Sequence, residues 1–156
     1  MTGYFGSKSH SDAANASDAG AAIDVEAMRL PVRTDEEVVM LRKHVRDLAV
    51  RLRLSLIDQT KLVTAASELA RNALKYGGGG EAVLQAVKTG MQQGVRLSLV
   101  DTGPGIADLQ QAMQDGFTSG GGMGLGLSGA KRLVDDFDIR SAPGAGTTVT
   151  ITKWKK

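Results

Sequence analysis

The chain has no cysteine, which excludes disulfides, thiolate zinc sites and cysteine nucleophiles and is compatible with a reducing compartment. Aromatic residues make up only 4% of its 156 positions. The core is therefore expected to be aliphatic, and base stacking, on which many single-strand nucleic-acid binders depend, has little to work with. No apolar run approaches bilayer-spanning length, and the N-terminus mixes Ser, Asp, Ala and Gly without a signal-peptide core. Excess charge is also scarce: the net value is +2, part of it from Lys153, Lys155 and Lys156, and it carries no nucleic-acid signal. These shortages point to a cytoplasmic protein with neither nucleic acid nor membrane among its partners. The remaining balance, 42% apolar and 23% charged residues, is that of an ordinary globular domain long enough to bury one core.

Residues 1–24 are poor in bulky side chains and read as a flexible tail, leaving 25–156 as the folded domain. Met28, Leu30 and Val32 then alternate at strand spacing, and Pro31 suggests a sheet edge. Thr34 with Glu37 fits a capping box, and Val38, Leu41, Val45, Leu48, Ala49 and Leu52 give a first helix to about Arg53. A second helix begins near Ser55 or Asp58, carries Leu62, Ala66, Leu69 and Ala73, and stops at Gly77. Residues 81–88 and 95–100 read as a hairpin whose connection includes Gly90 and Gly94. After a long glycine-rich loop, Leu125, Leu127, Ala130, Leu133 and Val134 predict another helix. Residues 138–141 and 147–154 read as closing strands about the Gly144-Ala145-Gly146 turn.

Three segments carry candidate chemistry. Glu68 and Asn72, four apart on the second helix, project from one side and can address one ligand, although taken alone such a pair is more often a solvated one. Leu99-Val100-Asp101-Thr102-Gly103-Pro104-Gly105 puts a carboxylate at the end of an apolar strand, before a glycine turn that admits a flat ligand to the backbone. By itself the segment is also an ordinary strand-ending turn. Gly120-Gly121-Gly122-Met123-Gly124-Leu125-Gly126-Leu127 leads directly into a helix, a setting for phosphate or simply a linker. It matches neither a Walker A loop nor a dinucleotide fingerprint.

Taken in order, Glu68 and Asn72, Asp101-x-Gly103-x-Gly105, Gly124-Leu125-Gly126-Leu127 and Gly146-Thr147-Thr148 resemble the N, G1 and G2 boxes and terminal strand of the GHKL (Bergerat) ATP-binding fold. The resemblance covers about residues 28–154. Glu68-Leu69-Ala70-Arg71-Asn72, the Gly77 to Gly80 run and the ending Gly146-Thr147-Thr148-Val149-Thr150-Ile151 look closest to the RsbT group of switch-protein serine kinases.

The resemblance implies an α/β fold of the α+β two-layer type: a mixed, mostly antiparallel sheet with helices on one face. It implies ATP and Mg²⁺ as cofactors, Asn72 as the Mg²⁺ ligand and Glu68 as catalytic base. Asp101 would bind the adenine amine, with Gly103 and Gly105 bordering the base and Thr148 supporting it. Gly122, Gly124, Leu125 and Gly126 would cradle the phosphates, and residues 108–121 would act as a lid. Arg71 and Lys75 flank this site. The implied partner is a STAS-domain antagonist, with a PPM-type phosphatase or a sigma factor as further candidates. A non-catalytic ATP-dependent switch that sequesters or activates its partner is the alternative. A detached histidine-kinase ATPase ranks last, because no helix offers a phosphoacceptor histidine followed by an acidic residue; His10 and His44 read as solvated. Trp154 is expected to anchor the last strand.

Overall fold

The computed structural model of the protein describes residues 21–22, 27–106, 108–114 and 126–156. Helix α1 (Asp35–Arg51) starts where the capping box predicts. The Thr34 hydroxyl accepts from the Glu37 amide at 3.1 Å, and the Glu37 carboxylate returns to the Arg33 amide at 2.8 Å, one residue before the cap. The helix closes without glycine. Arg53 takes the left-handed conformation at φ 63°, and the Leu54 amide reaches back to the Ala49 carbonyl at 3.0 Å while the Leu54 side chain is buried.

Helix α2 (Leu56–Gly77) is capped by Ser55, whose hydroxyl accepts from the Asp58 amide at 3.1 Å. Its left-handed cap is Gly78, at φ 74°, one residue beyond the expected position, which keeps Gly77 inside the helix. No helix among the described residues is long and apolar enough to cross a membrane.

Strands β1 (Ala21–Ala22) and β2 (Met28–Val32) both lie along the outer side of β3 (Gly80–Thr89), so Pro31 is on an edge strand as expected. Ala21 and Ala22 fall within the stretch that composition assigned to the tail. β3 turns through Gly90 and Met91 into β4 (Gln92–Asp101), giving a longer hairpin than the pattern predicts. Gly94, read as part of the turn, pairs with Trp154 inside the sheet. Across the sheet, β4 is followed by β6 (Thr147–Trp154) and then β5 (Asp136–Ser141). Every described pairing is antiparallel, so the parallel component of a mixed sheet is absent among the described residues.

Strand parity decides which face is covered. Leu84, Leu97 and Ile151 stand in one row and Ala82, Leu99 and Val149 in the next, all buried beneath α2 and α1. Leu62, Ala66, Leu69 and Ala73 of α2 and Leu41, Val45 and Leu48 of α1 complete this aliphatic core. The other face mixes polar and apolar groups: Ser98 and Thr150 share a hydroxyl hydrogen bond of 2.9 Å, Arg96 Nε donates to Thr152 Oγ1 at 3.2 Å, and Val87 and Trp154 are buried at the end where they flank Gly94. The result is the expected two-layer sandwich with its helices on one side.

The C-terminal lysines do not form one solvated patch. Lys153 shares the parity of Val149 and Ile151, is buried, and lies 3.5 Å from Asp58 in the first turn of α2 and 3.5 Å from Asp135. Asp135 also accepts from the Trp154 amide at 2.7 Å and from Lys156 at 2.8 Å, while the Trp154 indole donates to Asp136 at 2.8 Å. Burial opposes charge on Asp135. Its hydrogen bonds to Lys156 and the Trp154 amide, with the charges of Lys153 and Lys156, outweigh that and hold the carboxyl below its ordinary value of 3.8. A carboxyl depressed in the folded state contributes stability that is complete above the unfolded value and fades as pH falls through the folded one. Urea midpoints measured as pH is lowered through 3.8 are expected to fall less steeply in Asp135→Asn than in the unmodified protein.

Candidate active site

Among the described residues, Glu68 is one of the few charged groups that are buried. Its Oε2 accepts from the backbone amide of Gly126 at 3.2 Å, and its Oε1 faces Arg71 Nη1 at 3.3 Å. Gly126 opens helix α4 (Gly126–Arg132), the helix predicted to follow the glycine-rich loop; its described length ends two residues before Val134. The acid of the N box is thus joined to the start of the G2 helix across 58 positions of sequence. Asn72, half-buried, stands one turn further along α2.

Asp101 ends β4, and its Oδ1 accepts from the Gly103 amide at 2.9 Å, closing the turn on itself. The end of α2 presses against this turn. A Cβ at Gly77 would sit 2.7 Å from Asp101 Oδ1, and one at Gly103 would sit 2.5 Å from the Gly77 Cα, so neither position admits a side chain without displacing backbone or carboxylate. Beyond Gly105 the turn is tied to β5 and β6. The Ile106 amide donates to Ser141 Oγ at 2.8 Å, and the same hydroxyl lies 3.0 Å from the Gly146 carbonyl and 2.7 Å from Thr147 Oγ1.

The structure therefore brings Glu68, Asn72, Asp101, Gly103, Gly105 and Gly126 to one side of the fold, around the C-terminal half of α2. Thr148 is placed differently. It pairs with Val100 and Arg140, on the face of the sheet away from the helices, whereas Thr147 pairs with Asp101 and shares its face. The alternation Thr147, Val149, Ile151, with both aliphatics buried, is the signal in the sequence that singles out Thr147. Ser141, the hydroxyl that ties the turn to the hairpin, is the second residue that sequence reasoning missed; nothing in its surroundings along the chain marks it. Gly122, Gly124 and Leu125 lie outside the described residues. So does the segment expected to act as a lid, apart from 108–114, where α3 (Leu109–Ala112) is a single turn.

A cavity of about 350 Å³ lies elsewhere, between α1 and the outer strands, lined by residues such as His44, Arg51, Leu84 and Met28, and contains none of these groups. Within the site, α2 acts as a ruler. The nine residue steps from Glu68 to Gly77 correspond to about 14 Å along the helix axis. A hydrogen-bond-accepting carboxylate packed against Gly77 and Gly103 stands at one end, an acid bonded to a helix start stands at the other, and the Asn72 amide lies between them.

Comparison with known proteins gives the family. Residues 57–156 match the family model of histidine kinase-, DNA gyrase B- and HSP90-like ATPases. Over 123 residues the chain is 39% identical to the serine/threonine-protein kinase RsbT of Bacillus subtilis, covering 79% of this chain and 92% of that protein. It is 27% identical over 117 residues to an anti-sigma F factor of Thermoanaerobacter, covering 72% of this chain and 82% of the other. The crystal structure of the RsbU and RsbW domains of a Mycobacterium tuberculosis protein superposes with a TM-score of 0.58 at 22% identity, over 85% of this chain and 34% of that one, which supports the fold. The chain belongs to the histidine kinase-, DNA gyrase B- and HSP90-like ATPases and, among them, to the serine/threonine-protein kinases of the RsbT kind.

Proposed function

We propose that this kinase transfers the terminal phosphate of ATP to a serine or threonine hydroxyl of a STAS-domain antagonist, in a bacterial stress-signalling partner switch operating in the cytoplasm. The observation that carries the reading is the contact between Glu68 and the Gly126 amide, which sets a buried carboxylate beside the start of the glycine-loop helix. In the proposed arrangement the adenine lies at the Asp101 end, its exocyclic amine donating to the carboxylate oxygen that Gly103 leaves free. Thr147, at the side of Asp101, takes the supporting role first given to Thr148. The length of about 14 Å that helical rise gives along α2 suits a nucleoside triphosphate laid lengthwise, its phosphates towards Asn72 and the helix start.

Glu68 is the proposed base. It accepts the proton of the acceptor hydroxyl as the new oxygen–phosphorus bond forms and the bond to the β-phosphate oxygen breaks, releasing ADP. The donor set around Asn72 fits Mg²⁺ brought in on the nucleotide. The described residues gather no group of three or more His, Asp or Glu, so the protein would supply one amide oxygen and the phosphates much of the rest. Bound there, the metal would offset phosphate charge, and Asn72 would fix its position.

Similarity to an anti-sigma F factor favours one second reading: an ATP-set switch that binds a sigma factor or a PPM-type phosphatase with little turnover. Incubating the protein with Mg-ATP labelled on the terminal phosphate and a purified STAS-domain protein separates the two. Stable label on the STAS protein is expected; a nucleotide-dependent complex that stays unlabelled would establish the binder instead.

A further inference from the structure

We infer that Arg71 is a positioning residue for the Glu68 carboxylate, an inference that rests on the reading of Glu68 as base. The two stand three apart on α2, so the guanidinium reaches back over the turn that carries the acid. Arg71 Nη1 lies 3.3 Å from Oε1, and the Gly126 amide lies 3.2 Å from Oε2. Each oxygen of the carboxylate thus has its own donor, one from the same helix and one from the helix start that faces it.

The terminal torsion of a glutamate is broad and soft, so a carboxylate held by one oxygen can swing about that bond. Held at both, it keeps one plane, and its remaining lone pairs face a fixed direction. The burial is asymmetric as well. The Glu68 side chain is 8% exposed and that of Arg71 58%, so the acid sits inside while its counter-charge stays hydrated. An exposed cation of this kind adds little to fold stability. Its value lies in orientation, where a small misplacement of a reacting group costs rate out of proportion to binding energy. Lys75, the other basic residue flanking the site, is engaged with the Tyr76 ring at 5.3 Å. Among the described residues, Arg71 is the cation placed on the acid.

The test uses the full chain, Mg-ATP labelled on the terminal phosphate and a purified STAS-domain acceptor, with kcat and the KM for ATP measured separately. Arg71→Ala is expected to lower kcat about 10-fold while KM for ATP stays within about two-fold, and Arg71→Lys to recover most of the loss. In a Glu68→Gln background, adding Arg71→Ala is expected to change the residual rate by less than about two-fold, because the group it orients is already gone. Unchanged kcat in Arg71→Ala overturns the inference, as does a rise in KM without a fall in kcat. A further large loss in the Glu68→Gln background also overturns it, since Arg71 would then act on nucleotide or partner. If Glu68→Gln is inactive while Arg71→Ala is fully active, only the positioning role falls. If Glu68→Gln itself turns over at the normal rate, the base assignment falls and takes the positioning role with it.

Discussion

Glu68→Gln is expected to lower phosphate transfer by at least about 100-fold while leaving ATP affinity within about two-fold. The substitution is nearly isosteric. The amide oxygen of glutamine can still accept from the Gly126 amide, so the junction between α2 and α4 that Oε2 now makes is retained. What disappears is the capacity to take a proton and the charge that faces Arg71. A group acting as base matters in the transition state and little in the nucleotide complex, so the loss belongs in kcat. Single-turnover transfer rates, with nucleotide affinity from calorimetry on the same preparation, read the two effects apart. A uniform loss of affinity and rate would instead mean that Glu68 holds the pocket together, as a buried acid bonded to a helix start could.

How much of this was legible in the chain varies with the range of the interaction. Caps and periodicity are local, and Thr34, Ser55 and the aliphatic repeats located α1 and α2 to within a few residues. The end of α1 was harder, because Arg53 adopts the left-handed conformation without the glycine that usually announces it. Lys153 was misleading for another reason. Beside Lys155 and Lys156 it reads as part of a solvated run, and only strand parity with Val149 and Ile151 sends it inward, where Asp58 and Asp135 meet it. The ordered motifs gave the residues around α2, but the contact of Glu68 with Gly126 depends on a chain reversal 58 residues long and has no local signature. Thr147 was within reach of the same parity argument that exposes Lys153; the pairing of Thr147 with Asp101 and of Thr148 with Val100 makes the distinction explicit.

Asp101→Asn is expected to weaken ATP binding about 10- to 100-fold with the fold intact. Asp101 spends Oδ1 on the Gly103 amide, and an asparagine would keep its carbonyl oxygen there because the turn needs an acceptor. The side-chain NH₂ would then occupy the position of Oδ2 and present a donor to the donor of the adenine amine. Such a mismatch leaves buried polar groups unpaired at a cost of about 1–3 kcal/mol, which corresponds to the stated range of affinity. Relief by rotation is restricted. The Gly77 backbone lies so close to the carboxylate that a single added carbon would approach Oδ1 to 2.7 Å, so the side chain has little room to turn. Thr147→Val should add to the loss and Thr148→Val should not, because only the first shares the face of Asp101. Calorimetric titration of Mg-ATP into each variant tests this. Equal effects from the two threonines, or unchanged affinity in Asp101→Asn, would move the adenine away from the end of β4.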